Sequence, residues 1–186
     1  MALLLAGSMS IWSSVAAAAV TVGEAPPDDL GKDFQDQPVS VSQFRGKVVI
    51  VTFWASWCAP CRAEMDLLDR VQRVAGRDAM AIVAVNFKED DRTWRQYKKR
   101  LKDVALTITR DRTQKVPEDY EVKGIPRMIM IDKQGVVVRI HTGYDEKYLD
   151  QLLAEMNELL AAPTTVPGEA AAAGEMAPTE DPQPGL

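Results

Sequence analysis

Cysteine and histidine are scarce in this chain of 186 residues. It contains two cysteines, Cys58 and Cys61, and one histidine, His141. A scaffold held together by disulfides needs more cysteines at wider spacing. A zinc site made only of Cys and His normally takes four ligands, so the chain cannot complete one alone, and we assign no metal site. Two thiolates that hold copper remain an alternative.

The chain also lacks a surplus of basic residues. It carries 22 Lys and Arg against 27 Asp and Glu, for a net charge of −5. General nucleic-acid binding requires a basic surplus that neutralises phosphates, so we expect no nucleic acid among the partners. With 46% hydrophobic and 26% charged residues, the composition is that of an ordinary globular protein with a sizeable core.

Charged residues are absent from residues 2–22. An apolar stretch there leads to small residues at 16–19, which is typical of a signal peptide, although no Lys or Arg precedes it. We expect residues 1–22 to be a signal peptide or a membrane anchor, and the protein to be periplasmic or otherwise extracytoplasmic, secreted or tethered to a membrane. The alternative is an apolar N-terminus on a cytosolic protein.

Large apolar side chains are nearly absent from residues 163–186, which are rich in Pro, Ala and Glu. Such a segment cannot bury enough surface to offset the entropy lost on ordering. We therefore expect a disordered tail at 163–186 and a single folded domain at 23–162.

Within that domain, continuous apolar runs at 47–54 and 79–87 predict buried strands, and helical spacing at 59–76 predicts a helix between them. Two such strands joined by a helix pair in parallel with a right-handed crossover. A later hairpin adds antiparallel strands. The sequence thus predicts an α/β fold, a mixed central sheet with helices on both faces. Further strands are expected at 105–109, 127–132 and 136–141, and further helices at 88–102 and 145–161.

The last predicted helix has a clean apolar stripe with a spacing of about 3.6 residues. This stripe should face the core. It comprises Tyr148, Leu149, Leu152, Leu153, Met156, Leu159 and Leu160.

Both cysteines lie where the first buried strand gives way to a helix, in the sequence Cys58-Ala59-Pro60-Cys61. The partial positive charge of a helix N-terminus lowers the pKa of a thiol placed there. On a helical wheel, Cys61 lies with the apolar residues and Cys58 lies at the tip. We expect Cys58 to be the exposed attacking thiol and Cys61 the buried resolving thiol. An inert local disulfide is the alternative, but closing so short a loop gains little stability.

Glu64 is an unusual residue on the apolar side of the same wheel. It follows Cys61 by about one turn, and no basic residue lies three or four positions away. A carboxyl group there should be partly desolvated, with a raised pKa. Such a group suits proton exchange with the thiol of Cys61. The alternative is that Glu64 reaches solvent or a distant Lys or Arg.

Residues 46–65, GKVVIVTFWASWCAPCRAEM, resemble the active-site block of the TlpA/ResA-like branch of the thioredoxin superfamily. The similarity extends over about residues 23–160. It implies a thioredoxin-like fold and a Glu64 that matches the active-site glutamate of this branch. Thr52 stands where thioredoxin itself has a buried Asp, which favours this branch over a general cytosolic thioredoxin.

The same resemblance implies a cis peptide bond before Pro126, facing the disulfide, with the Ile125 backbone binding an extended substrate strand. We place Trp57 and Arg127 in the substrate-binding set as well. Arg127 departs from the branch, because a small Thr or Ser is common at this position; it either sets substrate preference or is solvated.

The function predicted from the sequence is a thiol–disulfide oxidoreductase that needs no cofactor beyond its own Cys58–Cys61 disulfide. The leading hypothesis is a reductase of protein disulfides, such as the heme-binding cysteines of apocytochrome c or a metal-site assembly protein. An upstream electron donor, for example a membrane thiol-transfer protein, would then reduce the Cys58–Cys61 disulfide again.

Three alternatives remain open, and each has its own observable. A protein disulfide oxidant would have an unstable Cys58–Cys61 disulfide. A copper-binding assembly factor would retain Cu(I) without turning over disulfides. A redox-inert interaction module would keep its partner binding after Cys58→Ser.

Overall fold

The computed structural model describes residues 20–164. Residues 1–19 of the predicted signal peptide or anchor and residues 165–186 of the predicted tail lie outside the described residues. Val20, which was predicted to belong to the signal peptide or anchor, is 7% exposed and packs into the hydrophobic core. Within residues 20–164, no helix combines the length and the apolar composition that crossing a bilayer needs.

A seven-stranded sheet forms the centre of the domain, with the strand order β2-β1-β5-β4-β3-β6-β7. Four helices are connected to it. The strands are β1 Asp29–Lys32, β2 Pro38–Ser40, β3 Val48–Trp54, β4 Met80–Asn86, β5 Thr107–Arg110, β6 Arg127–Ile131 and β7 Val137–Thr142; the helices are α1 Ala59–Ala75, α2 Asp91–Arg100, α3 Lys115–Asp119 and α4 Leu149–Ala161.

Strands β3 and β4 are buried along their whole length. They pair in parallel and are joined by α1, while β6 lies antiparallel on the other side of β3. A strand covered on both faces has no polar side, which explains the continuous apolar runs in the sequence. The predicted β–α–β unit and the antiparallel hairpin of β6 and β7 are therefore confirmed.

Hydrophobic clusters cover both faces of the sheet. One cluster contains both cysteines and lies beneath α1, α2 and α4. The other includes residues of α3 and of the N-terminal segment. The α/β class with helices on both faces is thus confirmed. Because α1 follows β3 directly, its first turn lies at the carboxyl end of the central strand, where the two cysteines are.

Three short elements were not predicted from the sequence: β1, β2 and α3. They contain four, three and five residues, too few to establish a period. The expected position of Tyr148 was wrong. It belongs to a 3-10 turn that precedes α4, so the wheel of α4 does not extend to it, and its side chain is 57% exposed.

Candidate active site

Cys58 is the N-cap residue of α1, and its sulfur is bonded to that of Cys61. The backbone N–H of Cys61 points at the Cys58 sulfur, with an N–S distance of 3.3 Å. Pro60 fits in the first turn because an N–H at this position would have no partner within the helix. The free N–H groups and dipole of the helix are therefore directed at the sulfur of Cys58.

The two cysteines differ in burial, but less than expected. Cys61 is fully buried and Cys58 is 6% exposed. The prediction of an exposed Cys58 needs correction: in the disulfide form its side chain is bonded to Cys61 and packed within the core cluster. The exposed residue at this point is Trp57, with 64% of its surface accessible.

Glu64 is 2% exposed and lies on the core side of α1, where the wheel placed it. Burial raises its pKa from 4.5 to about 7, while a hydrogen bond from Thr52 acts in the opposite direction. The Thr52 hydroxyl lies 2.5 Å from Oε1 of Glu64, and Thr52 itself is fully buried. A carboxyl group with this pKa can both take and release a proton near neutral pH.

A cavity of about 250 Å³ adjoins Glu64. The loop between β7 and α4 forms part of its wall, including Tyr144, whose pKa is raised chiefly by burial and further by Glu146 and by Glu64 itself. His141 also lines the cavity, with Nε2 at 2.7 Å from Oε2 of Glu155. The single histidine is thus engaged in a side-chain pair.

Glu89 holds the loop before Cys58 and was not identified from the sequence. The backbone N–H of Ser56 donates to Oε1 of Glu89 at 2.7 Å, and the Asn86 amide donates to Oε2 at 2.9 Å. Arg110 in turn donates to the Glu89 carbonyl. In the sequence, Glu89 lies near the start of the helix predicted at 88–102, and no local signal marks its contact with Ser56.

The segment before β6 contains the expected cis peptide bond between Ile125 and Pro126. The Pro126 carbonyl accepts a hydrogen bond from Gly143 at 2.8 Å. Ile125 is partly buried and packs against both hydrophobic clusters, one of which contains the two cysteines. The structure therefore brings this segment to the same cluster as the disulfide.

Arg127 is placed differently from Ile125. It is half-buried, and it pairs in register with Phe53, which belongs to the cluster on the other face of the sheet. Its Nε atom is buried and has no hydrogen-bond partner within residues 20–164. Arg127 thus lies at the end of β6 on the face opposite α1.

No group of three or more His, Cys, Asp or Glu side chains is arranged as a metal site in the part of the chain that the structure describes. The redox group of this site is the Cys58–Cys61 disulfide.

Comparison with known proteins connects this geometry to a family. The Redoxin family model matches residues 21–158. The chain is 32% identical over 134 residues to the thioredoxin-like protein YneN of Bacillus subtilis, covering 70% of this chain and 78% of YneN. It is 33% identical over 125 residues to the thiol-disulfide oxidoreductase ResA of Geobacillus kaustophilus, covering 67% of this chain and 71% of ResA.

Solved structures show the same relationship. A crystal structure described as a putative thiol:disulfide interchange protein DsbE from Chlorobium tepidum superposes with a TM-score of 0.67 at 28% identity, covering 76% of this chain and 99% of that chain. The exposed lipoprotein thioredoxin Etrx1 of Streptococcus pneumoniae gives a TM-score of 0.61 at 29% identity, covering 72% of this chain and 100% of that chain. With a Cys58–Cys61 pair on a thioredoxin-like fold, the chain belongs to the Redoxin family and is a thiol–disulfide oxidoreductase of the ResA/DsbE type.

Proposed function

We propose that this protein reduces disulfides of exported proteins, with Cys58 as the attacking thiol, Cys61 as the resolving thiol and Glu64 as the proton carrier. The observation that carries the proposal is the cap of α1. The sulfur of Cys58 accepts the N–H of Cys61, and a buried carboxyl with a pKa of about 7 follows one turn later.

In the first step, the thiolate of Cys58 attacks one sulfur of the partner's disulfide. A bond forms between Cys58 and that sulfur, the partner's S–S bond breaks, and the other partner sulfur leaves as a thiolate. The N–H of Cys61 and the dipole of α1 favour the thiolate of Cys58. This cap supports Cys58, rather than Cys61, as the sulfur that starts the exchange.

In the second step, Cys61 gives its proton to the carboxylate of Glu64 and attacks the sulfur of Cys58. The Cys58–Cys61 disulfide forms and the second partner sulfur leaves as a thiolate. The partner has gained two electrons and the oxidoreductase has lost two. Cys61 is fully buried, so a nearby carboxyl is a better proton acceptor for it than bulk water. An upstream dithiol donor, such as a membrane thiol-transfer protein, would restore the reduced form.

Partner binding is proposed to use the surface around the disulfide. Trp57 is 64% exposed and can contribute a large apolar contact. The Ile125 backbone, held beside Pro126 in the segment that packs on the disulfide cluster, is proposed to bind an extended stretch of the partner. Arg127 is proposed to set partner preference because it follows Pro126 directly in the chain; its half-buried side chain lies on the face opposite α1. Proteins with a close pair of cysteines, such as apocytochrome c or a metal-site assembly protein, are the proposed substrates.

The proposed location is the periplasm or another extracytoplasmic space, with residues 1–22 as a signal peptide or a membrane tether. The uncharged N-terminal sequence supports this location. One relative of similar fold is described as an exposed lipoprotein thioredoxin.

The reduction potential of the Cys58–Cys61 pair tests the direction of electron flow. The pair is equilibrated with glutathione or dithiothreitol buffers in the wild-type protein and in Glu64→Gln. A dedicated reductase should have a potential well below about −220 mV, in the range of reducing thioredoxins. A potential near about −120 mV would contradict the proposal and indicate disulfide formation.

The Glu64→Gln variant separates the role of Glu64 from that of the cysteines. We expect wild-type reductase activity to change with pH around the pKa of Glu64, and we expect Glu64→Gln to lack this dependence. Loss of the pH step with the potential retained supports the proton-carrier role. An unchanged pH profile would remove Glu64 from the mechanism.

A further inference from the structure

Thr52 lies in β3, which is paired with a neighbouring strand on each side. Its backbone pairs with Ala84 on β4 and with Met128 on β6. Its side chain is fully buried and faces α1, where its hydroxyl lies 2.5 Å from Oε1 of Glu64. Because β3 is held on both sides, the hydroxyl is presented to Glu64 from a fixed position.

This hydrogen bond is the one that the structure gives to the Glu64 carboxyl group among residues 20–164. The buried residues near Glu64 along α1 include Cys61, Met65 and Leu68. The β6 neighbour is Met128, which does not titrate. No basic side chain other than the imidazole of His141 lines the cavity beside Glu64.

The remaining titratable groups around the cavity come from β7, α4 and the segment between them. His141 pairs with Glu155, and Asp145 accepts one hydrogen bond from the backbone of Lys147 and forms an ion pair with its side chain. Tyr144 and Tyr148 also line the cavity. None of these groups donates a hydrogen bond to Glu64, so the charged form of the carboxyl depends on Thr52 for its direct stabilisation.

A hydroxyl group can serve both protonation states of a carboxyl group. It donates to the carboxylate, and it can rotate and accept from the protonated acid. A donor in an apolar site stabilises the anion more strongly than it stabilises the neutral acid. The bond from Thr52 therefore favours the carboxylate, whereas burial favours the acid.

We propose that Thr52 is the positioning residue of the proton step: its hydroxyl holds the carboxyl group of Glu64 and keeps enough of it ionised at neutral pH to accept the proton of Cys61. This inference rests on the proton-carrier role proposed for Glu64. Thr52 acts only through Glu64, and this role involves no contact of Thr52 with the partner protein or with the disulfide.

Three substitutions test the proposal. Thr52→Val removes the hydroxyl with little change in shape, and Thr52→Ser keeps a hydroxyl at the same position. Thr109→Val is the matched control, because Thr109 is also a fully buried strand threonine, on β5, and its hydroxyl has no hydrogen-bond partner in the described residues. The melting temperature of each variant establishes that it is folded.

The first readout is the protonation of Glu64 itself. The carboxyl carbon is followed by NMR across the pH range in protein labelled with ¹³C-glutamate, with Glu64→Gln to assign its signal. The oxidised protein is used because disulfide-bonded cysteines do not titrate. We expect Thr52→Val to raise the apparent pKa of Glu64 by about one to two units, the effect of losing one hydrogen bond to a charged group. Thr52→Ser should restore most of the shift, and Thr109→Val should produce none.

The second readout is the rate of the resolving step. The reduced protein is mixed with dithionitrobenzoate, which forms a mixed disulfide on Cys58, and attack by Cys61 then releases a second thionitrobenzoate. If Glu64 accepts the proton, Thr52→Val should slow this release at pH 7 by about 5- to 50-fold, in proportion to the lower ionised fraction. The rate should recover at higher pH, and Thr52→Ser should be close to wild type.

An unchanged Glu64 titration in Thr52→Val would overturn the inference, whatever happens to the rate. A shifted titration with an unchanged release rate would also overturn it, since Glu64 would then not limit the proton step. Suppose that Glu64→Gln abolishes the pH dependence of thionitrobenzoate release, while Thr52→Val leaves that dependence at its wild-type pH. The inference about Thr52 is then wrong, and the role proposed for Glu64 is retained. If Thr52→Val does not fold, the hydroxyl proton of Thr52 is observed by NMR in the wild-type protein. A chemical shift of this proton that does not follow the titration of Glu64 would contradict the proposal.

Discussion

Glu64 should make the stability of the oxidised protein fall as the pH rises. Its pKa is 4.5 in the unfolded chain and about 7 in the fold. Below pH 4.5 the carboxyl group is protonated in both the folded and the unfolded chain, and its contribution to the free energy of unfolding is fully present. Between these two values the unfolded chain releases the proton and the folded chain keeps it, so unfolding becomes more favourable. The accumulated loss is about 3 kcal/mol and is complete above the folded pKa.

Urea denaturation of oxidised wild type and Glu64→Gln between pH 4 and pH 8.5 measures this contribution. Glutamine does not titrate, so the difference between the two proteins isolates the carboxyl group. We expect the wild type to lose about 3 kcal/mol relative to the variant across this range. Two curves that remain parallel would show that the fold does not perturb Glu64.

For single residues, the sequence predicted which side chains are buried when the signal lay within one helix or strand. The position of Glu64 on the core side of α1 follows from the helical wheel alone. Its contact with Thr52 does not, because the two residues belong to different elements and meet only when α1 packs on β3. Gln72 gives a second example: its amide bonds the backbone of Met80 and Ile82 where β4 begins, which no spacing rule indicates.

Among the elements, the loop that leads into α1 depends on a residue from after β4. Glu89 uses one carboxylate oxygen for the Ser56 N–H and the other for the Asn86 amide. A glutamine at this position carries no charge, so the Ser56 N–H would exchange a hydrogen bond to a charged acceptor for at most a bond to a neutral acceptor.

Glu89→Gln should therefore loosen the segment before Cys58. We expect the amide hydrogen of Ser56 to exchange about tenfold faster, because its bond to a charged acceptor is replaced at best by a bond to a neutral acceptor. Hydrogen exchange of the oxidised protein measures this, with Glu118→Gln on the exposed surface of α3 as the matched control. Equal protection of Ser56 in all three proteins would show that Glu89 does not hold the loop.

The long elements were predictable because each fills a face of the core over several turns or a full strand. The runs that became β3 and β4 are apolar throughout, and α4 carries its stripe over thirteen residues. The short strand β1 pairs with Arg110, which is distant in the sequence, and β2 pairs with β1, its neighbour in the chain. Their sequences hold no periodic signal, so only the assembled sheet determines them.

At the scale of the whole molecule, the free carbonyl groups at the C-terminal end of α4 find a hydrogen-bond donor within the domain. The ammonium group of Lys133 donates to the carbonyls of Leu160 and Ala162 at 2.8 and 2.5 Å. These carbonyls belong to the last turn of the helix, which has no partners of its own. Lys133 thus caps the C-terminal end of α4, and residues 165–186 are not needed for these contacts.

Removal of residues 165–186 should change the free energy of unfolding by no more than about 0.5 kcal/mol and should leave disulfide reductase activity unchanged. Lys133→Met provides the contrast, because it retains the apolar stem and removes both hydrogen bonds to α4. We expect it to destabilise the protein by about 1.5–3 kcal/mol. Thermal and urea denaturation of the two variants measure these effects; a truncation as harmful as Lys133→Met would give the tail a structural role.

The fold class was predictable from the order of the long elements, since a β–α–β unit followed by a hairpin and a helix restricts the topology to few solutions. The cysteine pair was predictable from its spacing and its place before a helix. The side of the sheet on which Arg127 lies was not, because the register of β6 against β3 determines it. The coverage of Cys58 in the disulfide form was missed for the same kind of reason: it depends on packing by other elements.

The position of β3 has a mechanical consequence. This strand pairs with β4 along all seven residues and with β6 along five, and Cys58 follows shortly after its last residue. A partner joined to Cys58 would transmit tension along the strand, so that the hydrogen bonds on both sides are loaded together in shear rather than opened one after another. A partner that pulls on its covalent link to Cys58 would therefore meet the combined resistance of both strand pairings, and the oxidoreductase would keep its shape.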